Sequence, residues 1–377
     1  MDEITFARTF LLADASGTAS NPGETPHHAH LFSHGSWTLF DEGTIFVADV
    51  TQSGPQTHES SLFSTNWLTA GAQREIGRRG LLLFRGRISL EPVTVPNDGY
   101  PMLLQSVPGS PVDRQPGHKL IEEVAAHLAW RVGTTWFAHL YVAPVGDPAF
   151  GAVPFAQRAS SEEIVEAPFS FDPQEISHRE TSVVTAGFAT RLGRIEASSF
   201  HATLPSANSG VSGTANSWSA RLSVTPTRNW SAQVSMGRFG KRDREQRDSA
   251  SLSYGRDSGA KAFATSLIWS RAQPFSSIGA EATLRAWRNI FVLRLESVDR
   301  NPALFVTQAG SGVRKMAHGT IGFTRDVMAR NGYRAGVGAD IDYHSDVHDL
   351  KSRYGHKPQS IFLFVRLRTD ARDERGR

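Results

Sequence analysis

Apolar and polar side chains alternate along stretches of roughly ten residues, and such stretches recur from residue 36 to the end of the chain. Residues 218–224 and 333–343 are the clearest examples, with apolar residues at every second position and Ser, Arg, Gly or Asp between them. A period of two residues is that of a β-strand with one apolar and one polar face. Many of the apolar faces end in Trp or Tyr, as is typical of the boundary between lipid tails and headgroups.

One stretch, residues 276–300, also contains many good helix formers, among them Ala280, Ala282 and Leu284. Its apolar residues nevertheless share one parity, whereas Glu281 and Arg285 fall on the other. The alternation restarts after Arg288 and Asn289, and the following Phe-Val-Leu is poor helix material. We therefore predict two strands joined by a turn here.

Short and long connections alternate between these stretches. The short ones lie near residues 77–78, 133–134, 193, 227–228, 288–289 and 331, and the long ones at about 92–117, 144–180, 204–214, 239–246, 301–315 and 344–359. This alternation is typical of an outer-membrane barrel with short periplasmic turns and long extracellular loops, and it places both termini in the periplasm if the strand number is even. The long, proline-containing connection at 144–180 is expected to fold inward as a constriction.

The predicted fold is all-β: a transmembrane antiparallel up-and-down β-barrel of about sixteen strands, with about fourteen as the alternative. We expect an N-terminal periplasmic segment at 1–34, the outer-membrane barrel at 35–369 and a polar tail at 370–377. A soluble all-β protein is the competing interpretation, because its strands also alternate. The many Ala and Gly residues on the apolar faces favour the barrel, since they would pack a thick soluble core poorly.

Composition excludes several function classes. The chain has no cysteine, which removes thiol catalysis, thiolate metal sites and disulfides. Forty basic and 37 acidic residues nearly cancel, and the arginines are scattered, so no nucleic-acid partner is expected. No apolar run reaches the length of about eighteen residues that a membrane-spanning helix needs. The start of the chain does not have the pattern of a secretory signal.

Several stretches together resemble an uncharacterised family of bacterial outer-membrane, porin-like β-barrel proteins. The resemblance extends from about residue 16 to the last strand, and its motifs are specific as a set rather than singly; they are "SGTASNPGETP" (16–26), "GSWTLF" (35–40), "GYPMLLQS" (99–106), "VDRQPGHKL" (112–120), "EAPFSF" (166–171), "SVVTAGF" (182–188), "IEASSFHATLP" (195–205) and "SARLSVTPTRNWSAQVSMGR" (219–238). It implies a porin-like barrel without an established substrate. This chain departs from the family at 113–119, where one His and a final Asp are missing, and at 169–171, where Phe-Ser-Phe replaces a His-rich run.

Charged residues on the polar parity of the strands are the candidate lumen-lining groups. Each either filters solutes by its field or forms half of an ion pair between neighbouring strands, as Glu281 could with Arg294 and Arg285 with Glu296. Arginines outnumber acids in this set of candidates, which predicts a mild anion preference if the lumen is open. The candidates are Arg85, Arg87, Glu123, Arg191, Arg221, Glu281, Arg285, Arg294, Glu296, Arg334, Asp340 and Asp342.

Histidine-rich stretches are candidate metal or surface sites. His27, His28, His30 and His34 are dense enough to ligate a divalent cation, although a flexible segment before the first strand is the alternative. His344, Asp346 and His348 stand at alternate positions in an expected outer loop, where a solvated rim is the alternative. Lys241, Arg242 and Arg244 could bind lipopolysaccharide phosphates.

The predicted function is that of a porin-like channel for small polar solutes, in contact with outer-membrane lipids and lipopolysaccharide and without a cofactor. Two alternatives remain open: a non-conducting receptor or structural barrel, and a barrel-embedded hydrolase. The sequence has no G-x-S-x-G, H-E-x-x-H or P-loop motif, so no catalytic residue is assigned.

Overall fold

The computed structural model describes residues 10–175, 178–202, 213–240, 245–306, 312–345 and 348–370. Its strands are β1 (Asp14–Ser16), β2 (Ala19–Ser20), β3 (His30–His34), β4 (Trp37–Gln52), β5 (Glu59–Phe63), β6 (Asn66–Ile76), β7 (Gly80–Ile88), β8 (Tyr100–Pro101), β9 (Arg114–Gln115), β10 (Ile121–Val132), β11 (Trp136–Gly146), β12 (Glu180–Thr190), β13 (Gly193–His201), β14 (Ser217–Thr227), β15 (Trp230–Phe239), β16 (Glu245–Asp257), β17 (Lys261–Ala272), β18 (Phe275–Ala286), β19 (Asn289–Arg300), β20 (Arg314–Arg330), β21 (Tyr333–His344) and β22 (Gln359–Thr369).

The helices are short and lie in the connections. The α-helical turns are α1 (Glu91–Thr94), α2 (Phe171–Glu175) and α3 (Lys351–Tyr354), and the 3₁₀ turns are Phe155–Gln157, Pro302–Leu304 and His348–Leu350. No helix in the described residues is long and apolar enough to cross a membrane.

The strands form a closed antiparallel barrel of 16 spanning strands, as the alternation predicts. These are β4, β6, β7 and β10 to β22, each bonded to its neighbours in chain order, and β22 closes the ring on β4 with Val365 opposite Val47. The short β3 and β5 extend the sheet by pairing with the two ends of β4. The segment with helix-forming residues is the hairpin β18–β19, so the two-strand prediction is confirmed.

The outer face of the barrel is apolar and the inner face is polar. Along β19, Phe291, Leu293 and Leu295 are exposed on the outside, whereas Arg294 and Glu296 are buried inside. A closed barrel of this kind buries every backbone donor and acceptor in its ladders and offers hydrocarbon a continuous apolar surface. This arrangement supports the predicted location in the bacterial outer membrane.

The connections divide the barrel into a short-turn end and a long-loop end. Tight turns use left-handed backbone, with Gly77 at φ 59° and Gly133 at φ 73°. Residues 10 and 370 both lie at the short-turn end, because the strand number is even. One connection departs from the expected alternation: β17 and β18 are joined at the long-loop end by only Gln273 and Pro274.

The start of the described chain lies inside the barrel. We expected residues 1–34 to form a periplasmic segment, but Phe10 and Leu11 are buried against Leu81, Leu83 and Phe137 of the wall. At the other end, Asp370 is buried and its amide donates to the carbonyl oxygen of Gly332. Residues 371–377 of the expected tail lie outside the described residues.

Candidate functional site in the barrel lumen

Two parts of the chain enter the lumen. We name residues 10–28 the N-terminal segment and residues 147–175 the inward loop. The N-terminal segment contains the β1–β2 hairpin and meets the wall on the side of β7 to β14. The inward loop meets the wall mainly on the side of β17 to β22. The predicted inward folding of the 144–180 connection is confirmed.

Four arginines of the wall hold the N-terminal hairpin by its backbone. Arg85 donates to the carbonyl oxygens of Asp14 and Gly17, at 2.8 and 2.5 Å. Arg87 donates to the carbonyl oxygen of Ala15 at 2.7 Å and to the hydroxyl of Ser16 at 2.5 Å. The other two arginines, Arg194 and Arg221, bind the carbonyl oxygen and the hydroxyl of Thr18. Most of the hairpin atoms that these arginines bind are therefore uncharged carbonyl oxygens, which leave the positive charge of the guanidinium groups in place.

Aromatic and acidic contacts complete this docking. The ring of Phe10 stacks on Phe137 with centroids 5.4 Å apart, and the guanidinium of Arg194 lies 4.4 Å from the centre of the Phe10 ring. The same guanidinium lies 2.6 Å from a carboxylate oxygen of Asp14. Gly17 has φ 52°, and a Cβ at this position would lie 2.9 Å from the carbonyl oxygen of Asp147. Only glycine fits this turn without displacing Asp147 at the start of the inward loop.

Arg158 is the central anchor of the inward loop. Its side chain is 2% exposed, and it donates to Glu281 of β18 at 2.8 Å and to Glu175 of the loop at 3.1 Å. It also donates to the carbonyl oxygen of Val153 at 2.7 Å. Glu281 accepts a further bond from Arg294 at 3.0 Å, so the predicted Glu281–Arg294 pair is present.

Glu163 forms a second anchor with three arginines of the wall. Its carboxylate binds Arg366 and Arg368 of β22, and Arg285 of β18 lies 3.3 Å away. Burial alone would raise the pKa of Glu163, but the three guanidiniums outweigh burial and hold that pKa well below its usual range. The sequence suggests Glu296 as the partner of Arg285, but in the strand register Arg285 stands opposite Ile290.

Glu296 forms a third anchor through the backbone of the inward loop. Its carboxylate accepts bonds from the amides of Phe169 and Ser170, at 2.8 and 2.9 Å, and from the hydroxyl of Ser170 at 2.5 Å. Its other neighbour is His318 of β20, whose Nδ1 lies 3.0 Å away. The carboxylate thus stands between the Ser170 hydroxyl and the imidazole, an order that does not activate a serine for hydrolysis.

The predicted lumen residues point inward, with one exception. Arg191 is exposed in the turn between β12 and β13, and the neighbouring inward position is occupied by Arg194. Arg334 lies at the short-turn rim, where it binds Asp326 at 3.2 Å and also contacts Asp370. The remaining candidates are buried in the lumen: Arg85, Arg87, Glu123, Arg221, Glu281, Arg285, Arg294, Glu296, Asp340 and Asp342. Their filtering role stays a prediction.

The N-terminal histidines do not form the expected metal site. His28 binds Glu162 at 2.9 Å, His30 binds Asp41 and the carbonyl oxygen of Gly332, and His34 ends β3 on the exposed surface. In the described part of the chain a single group of three His or acidic side chains brings its ligand atoms within 4.8 Å of one another, and it consists of His318, Asp342 and His344. His27, His28, His30 and His34 are not part of it, because β3 spreads His30 and His34 along a strand and His28 pairs with Glu162 before that strand begins.

His344, Asp346 and His348, which we predict in one outer loop, also do not lie together in the described residues. His344 is the buried last residue of β21, His348 is exposed, and Asp346 lies outside the described residues, as do Lys241, Arg242 and Arg244. The sequence interpretation missed His318, although it lies on the polar parity of β20. It also missed Arg158 and Glu163, which stand in a connection without periodicity.

Two cavities of more than 100 Å³ lie beside the N-terminal segment and the inward loop. The larger, about 220 Å³, opens among the turns of β12 to β16 and is lined by Arg158, Arg191, Arg194, Arg221 and Arg228. Among the described residues that line it there is no Asp or Glu. The smaller, about 110 Å³, lies below the 89–120 connection and has a mixed lining that includes Glu91, His118, Glu122 and Arg179.

His118 and Glu91 form an ion pair at the smaller cavity, with Nδ1 2.9 Å from a carboxylate oxygen. Burial is the largest single influence on the pKa of His118 and lowers it. The charge and hydrogen bond of Glu91, helped by the charge of Glu122, together outweigh burial and raise this pKa to about 9. His118 is therefore an imidazolium at neutral pH.

Comparisons with solved structures identify the fold. OmpF of Salmonella typhi, solved with daunomycin, superposes with a TM-score of 0.56 at 10% identity, over 90% of this chain and 100% of that one. The loop L8 deletion mutant of the outer-membrane protein OmpT of Vibrio cholerae gives a TM-score of 0.54 at 9% identity, over 88% of this chain and 99% of that one. An anion-selective porin from Comamonas acidovorans gives 0.52 at 12% identity, over 88% and 99%.

No protein-family model matches the chain, and no curated protein sequence matches it. At identities of 9 to 12% the structural likeness concerns the fold alone. The chain has the fold of the bacterial outer-membrane porins, a closed 16-strand β-barrel.

Proposed function

We propose that this barrel is a porin-like channel that passes small polar solutes and prefers small anions. The observation that carries the proposal is the larger cavity, whose charged lining consists of arginines. Its volume of about 220 Å³ suits small solutes, since pockets for drug-sized ligands are larger, at about 300 to 1,000 Å³.

Four of the lining arginines have acidic partners, including Glu24 for Arg228, and none of these partners lines the cavity. Arg158, Arg194 and Arg221 pair with Glu281, Asp14 and Glu196 of the lumen. Arg191 is exposed in its turn, and no ion pair of its side chain occurs within the described residues. A solute entering from the short-turn end meets guanidinium groups first, which favours anions over cations in a low-dielectric passage.

The inserted segments restrict the route. The N-terminal segment and the inward loop occupy the lumen that a barrel of this size otherwise leaves as an aqueous channel. We expect a small single-channel conductance, and a larger one when the N-terminal segment is removed. Current across planar bilayers, with the reversal potential in a salt gradient, measures both properties.

A matched pair of variants tests the anion preference. Arg191→Gln removes an exposed guanidinium of the cavity lining, whereas Arg288→Gln removes an exposed guanidinium from another turn at the same end of the barrel. Arg191→Gln should move the reversal potential toward that of an unselective pore, and Arg288→Gln should leave it unchanged. Cation selectivity of the unmodified protein, or equal shifts in both variants, would contradict the proposal.

The second candidate is a non-conducting barrel, and the three anchors of the inward loop favour it. Arg158, Glu163 and Glu296 hold the loop through buried charged contacts, and such contacts are costly to open. A protein that is silent in bilayers both with and without residues 2–28 would support this second candidate. Current in the truncated variant alone would indicate a barrel closed by its own N-terminal segment.

A further inference from the structure

We propose that His318, Asp342 and His344 bind one divalent transition-metal ion, with Zn²⁺ the best-matched ion, inside the barrel near its long-loop end. All three side chains are buried, at 3%, 1% and 6% exposure. Two imidazoles and one carboxylate form a donor set that suits Zn²⁺ and its neighbours in the first transition row.

The strand register brings these three side chains together. His318 of β20 stands directly opposite His344 of β21, and Asp342 lies two residues before His344 on the same inward face. The imidazole centres are 4.6 Å apart, and Nε2 of His318 lies 3.4 Å from a carboxylate oxygen of Asp342. Two ligand atoms bound to one tetrahedral Zn²⁺ at about 2.1 Å are separated by about 3.4 Å, so this spacing accommodates an ion between them.

The ring nitrogens of His344 support a bound cation at this site. Both ring nitrogens of His344 are buried without a hydrogen-bond partner in the described part of the chain, and Nε2 of His318 faces a carboxylate oxygen of Asp342 at the long distance of 3.4 Å. A buried polar atom without a partner costs about 1 to 3 kcal/mol, and native proteins rarely leave both polar atoms of one side chain in that state. One bound cation would occupy Nε2 of His318 and one ring nitrogen of His344.

The surroundings are also arranged as an outer shell around a cation. Nδ1 of His318 faces Glu296 at 3.0 Å, a carboxylate–histidine contact that typically orients a metal ligand. Asp342 and Glu166 share the hydroxyl of Thr320, at 2.8 and 3.0 Å. Phe169 of the inward loop covers both imidazoles, with ring centres 5.4 and 5.3 Å away. The site is thus dry, acidic and closed by the loop.

The competing explanation is a protonated His318 that bridges Glu296 and Asp342 without any metal. This arrangement satisfies both carboxylates, but it leaves His344 without a role. Metal binding and proton binding therefore differ in what they require of His344, and the experiment is built on that residue.

Zinc retention by the purified, folded full-length chain tests the proposal. The protein is stripped with a chelator, equilibrated with Zn²⁺, desalted and analysed for metal. We expect one Zn²⁺ per chain, and a rise in Kd of tenfold or more for His344→Gln and for Asp342→Asn. Glu296→Gln, which leaves the three ligands in place, should weaken binding by about 10- to 100-fold.

Matched controls exclude other histidines. His127→Gln alters another buried histidine, one that lies 3.1 Å from His139, and His27→Gln combined with His34→Gln alters the N-terminal run. Both proteins should retain the ion. Failure of the unmodified protein to retain Zn²⁺, or equal loss in either control, would overturn the proposal.

A spectroscopic measurement on the unmodified protein covers the case in which the variants do not fold. One equivalent of Cu²⁺ is added, and the nitrogen hyperfine coupling in the electron paramagnetic resonance spectrum is used to count imidazole ligands. Two coupled imidazoles are expected. A single imidazole, or none, would refute the site.

Discussion

Arg158 of the inward loop and Glu281 of β18 form an ion pair that is buried on both sides, with Nε donating to Oε2 at 2.8 Å. They are 123 residues apart in the chain. This contact fastens a connection of the barrel to the middle of a distant wall strand, so the loop is part of the lumen rather than a lid above it.

Removing Glu281 should destabilise the protein more than removing Arg158. Glu281 accepts hydrogen bonds from both Arg158 and Arg294, so Glu281→Ala leaves two buried guanidiniums without their shared acceptor. A buried charge that loses its partner costs about 3 to 5 kcal/mol. Arg158→Ala should cost less, because Arg294 still neutralises Glu281, and Glu175, which also loses Arg158, can take up a proton, since burial raises its pKa. Urea unfolding of the refolded barrel, followed by tryptophan fluorescence, measures the free energy of unfolding.

A half-exposed ion pair provides the control for this comparison. Arg271 is 41% exposed and donates to Asp248 at 3.0 Å. Asp248→Ala should cost at most about 1 kcal/mol. If Glu281→Ala and Asp248→Ala proved equally mild, the inward loop would not be held by its buried charges.

Docking of the N-terminal hairpin should depend on the absence of a side chain at position 17. Both Gly17 and Gly35 have left-handed backbone, with φ 52° and 59°, but an added Cβ would meet Asp147 of the inward loop at Gly17 and no described atom within 4 Å at Gly35. Gly17→Val should therefore release the hairpin from the lumen, whereas Gly35→Val adds similar backbone strain without a clash.

Thiol labelling can follow this release because the chain has no cysteine of its own. Leu11 is fully buried in the docked segment, so a Leu11→Cys protein should react slowly with a maleimide. The Gly17→Val change in that background should accelerate labelling, and Gly35→Val should not. Equal rates in all three proteins would show that the segment does not dock as described.

The barrel and the inward folding of the 144–180 connection could be predicted from the sequence, whereas the contacts inside the lumen could not, for a physical reason. Every outward residue of a spanning strand must suit hydrocarbon, so Leu293, Leu295 and their equivalents leave a period of two that survives in the sequence. The inserted segments satisfy their backbone groups with distant side chains, as Thr18 does with Arg221. Such pairs leave no local pattern, so inward arginines that bind carbonyl oxygens have the same sequence signal as those that line an open pore.

The same reasoning explains the histidines. The sequence predicts His344 in an outer loop together with His348, because the alternation of β21 ends at Tyr343. In the structure β21 continues through His344, and the register with β20 brings in His318 from 26 residues earlier. Inward parity predicts the face of Asp342, but only the register shows which side chains it meets.

Stability should fall as the pH rises through the pKa of His118. This pKa is raised from 6.5 to about 9, so the His118–Glu91 pair stabilises the folded state fully below about pH 6.5 and loses that contribution as the pH passes about 9. The temperature at which the barrel loses its folded mobility on gels, measured across this range, should show the step. His118→Gln should remove it, and His58→Gln, at an exposed histidine, should keep it.

Replacing an outward leucine by arginine should be costly only where the strand faces hydrocarbon. Leu295 is 52% exposed near the middle of β19, and Leu304 is 51% exposed in the Pro302–Leu304 turn at the long-loop end. An arginine on the lipid-facing side costs about 2 to 4 kcal/mol at the bilayer midplane and about 0 to 1 kcal/mol near the membrane interfaces. Leu295→Arg should therefore lower the free energy of unfolding in lipid vesicles by that amount while Leu304→Arg leaves it nearly unchanged. Because the two leucines are equally exposed, equal costs would mean that lipid does not surround β19.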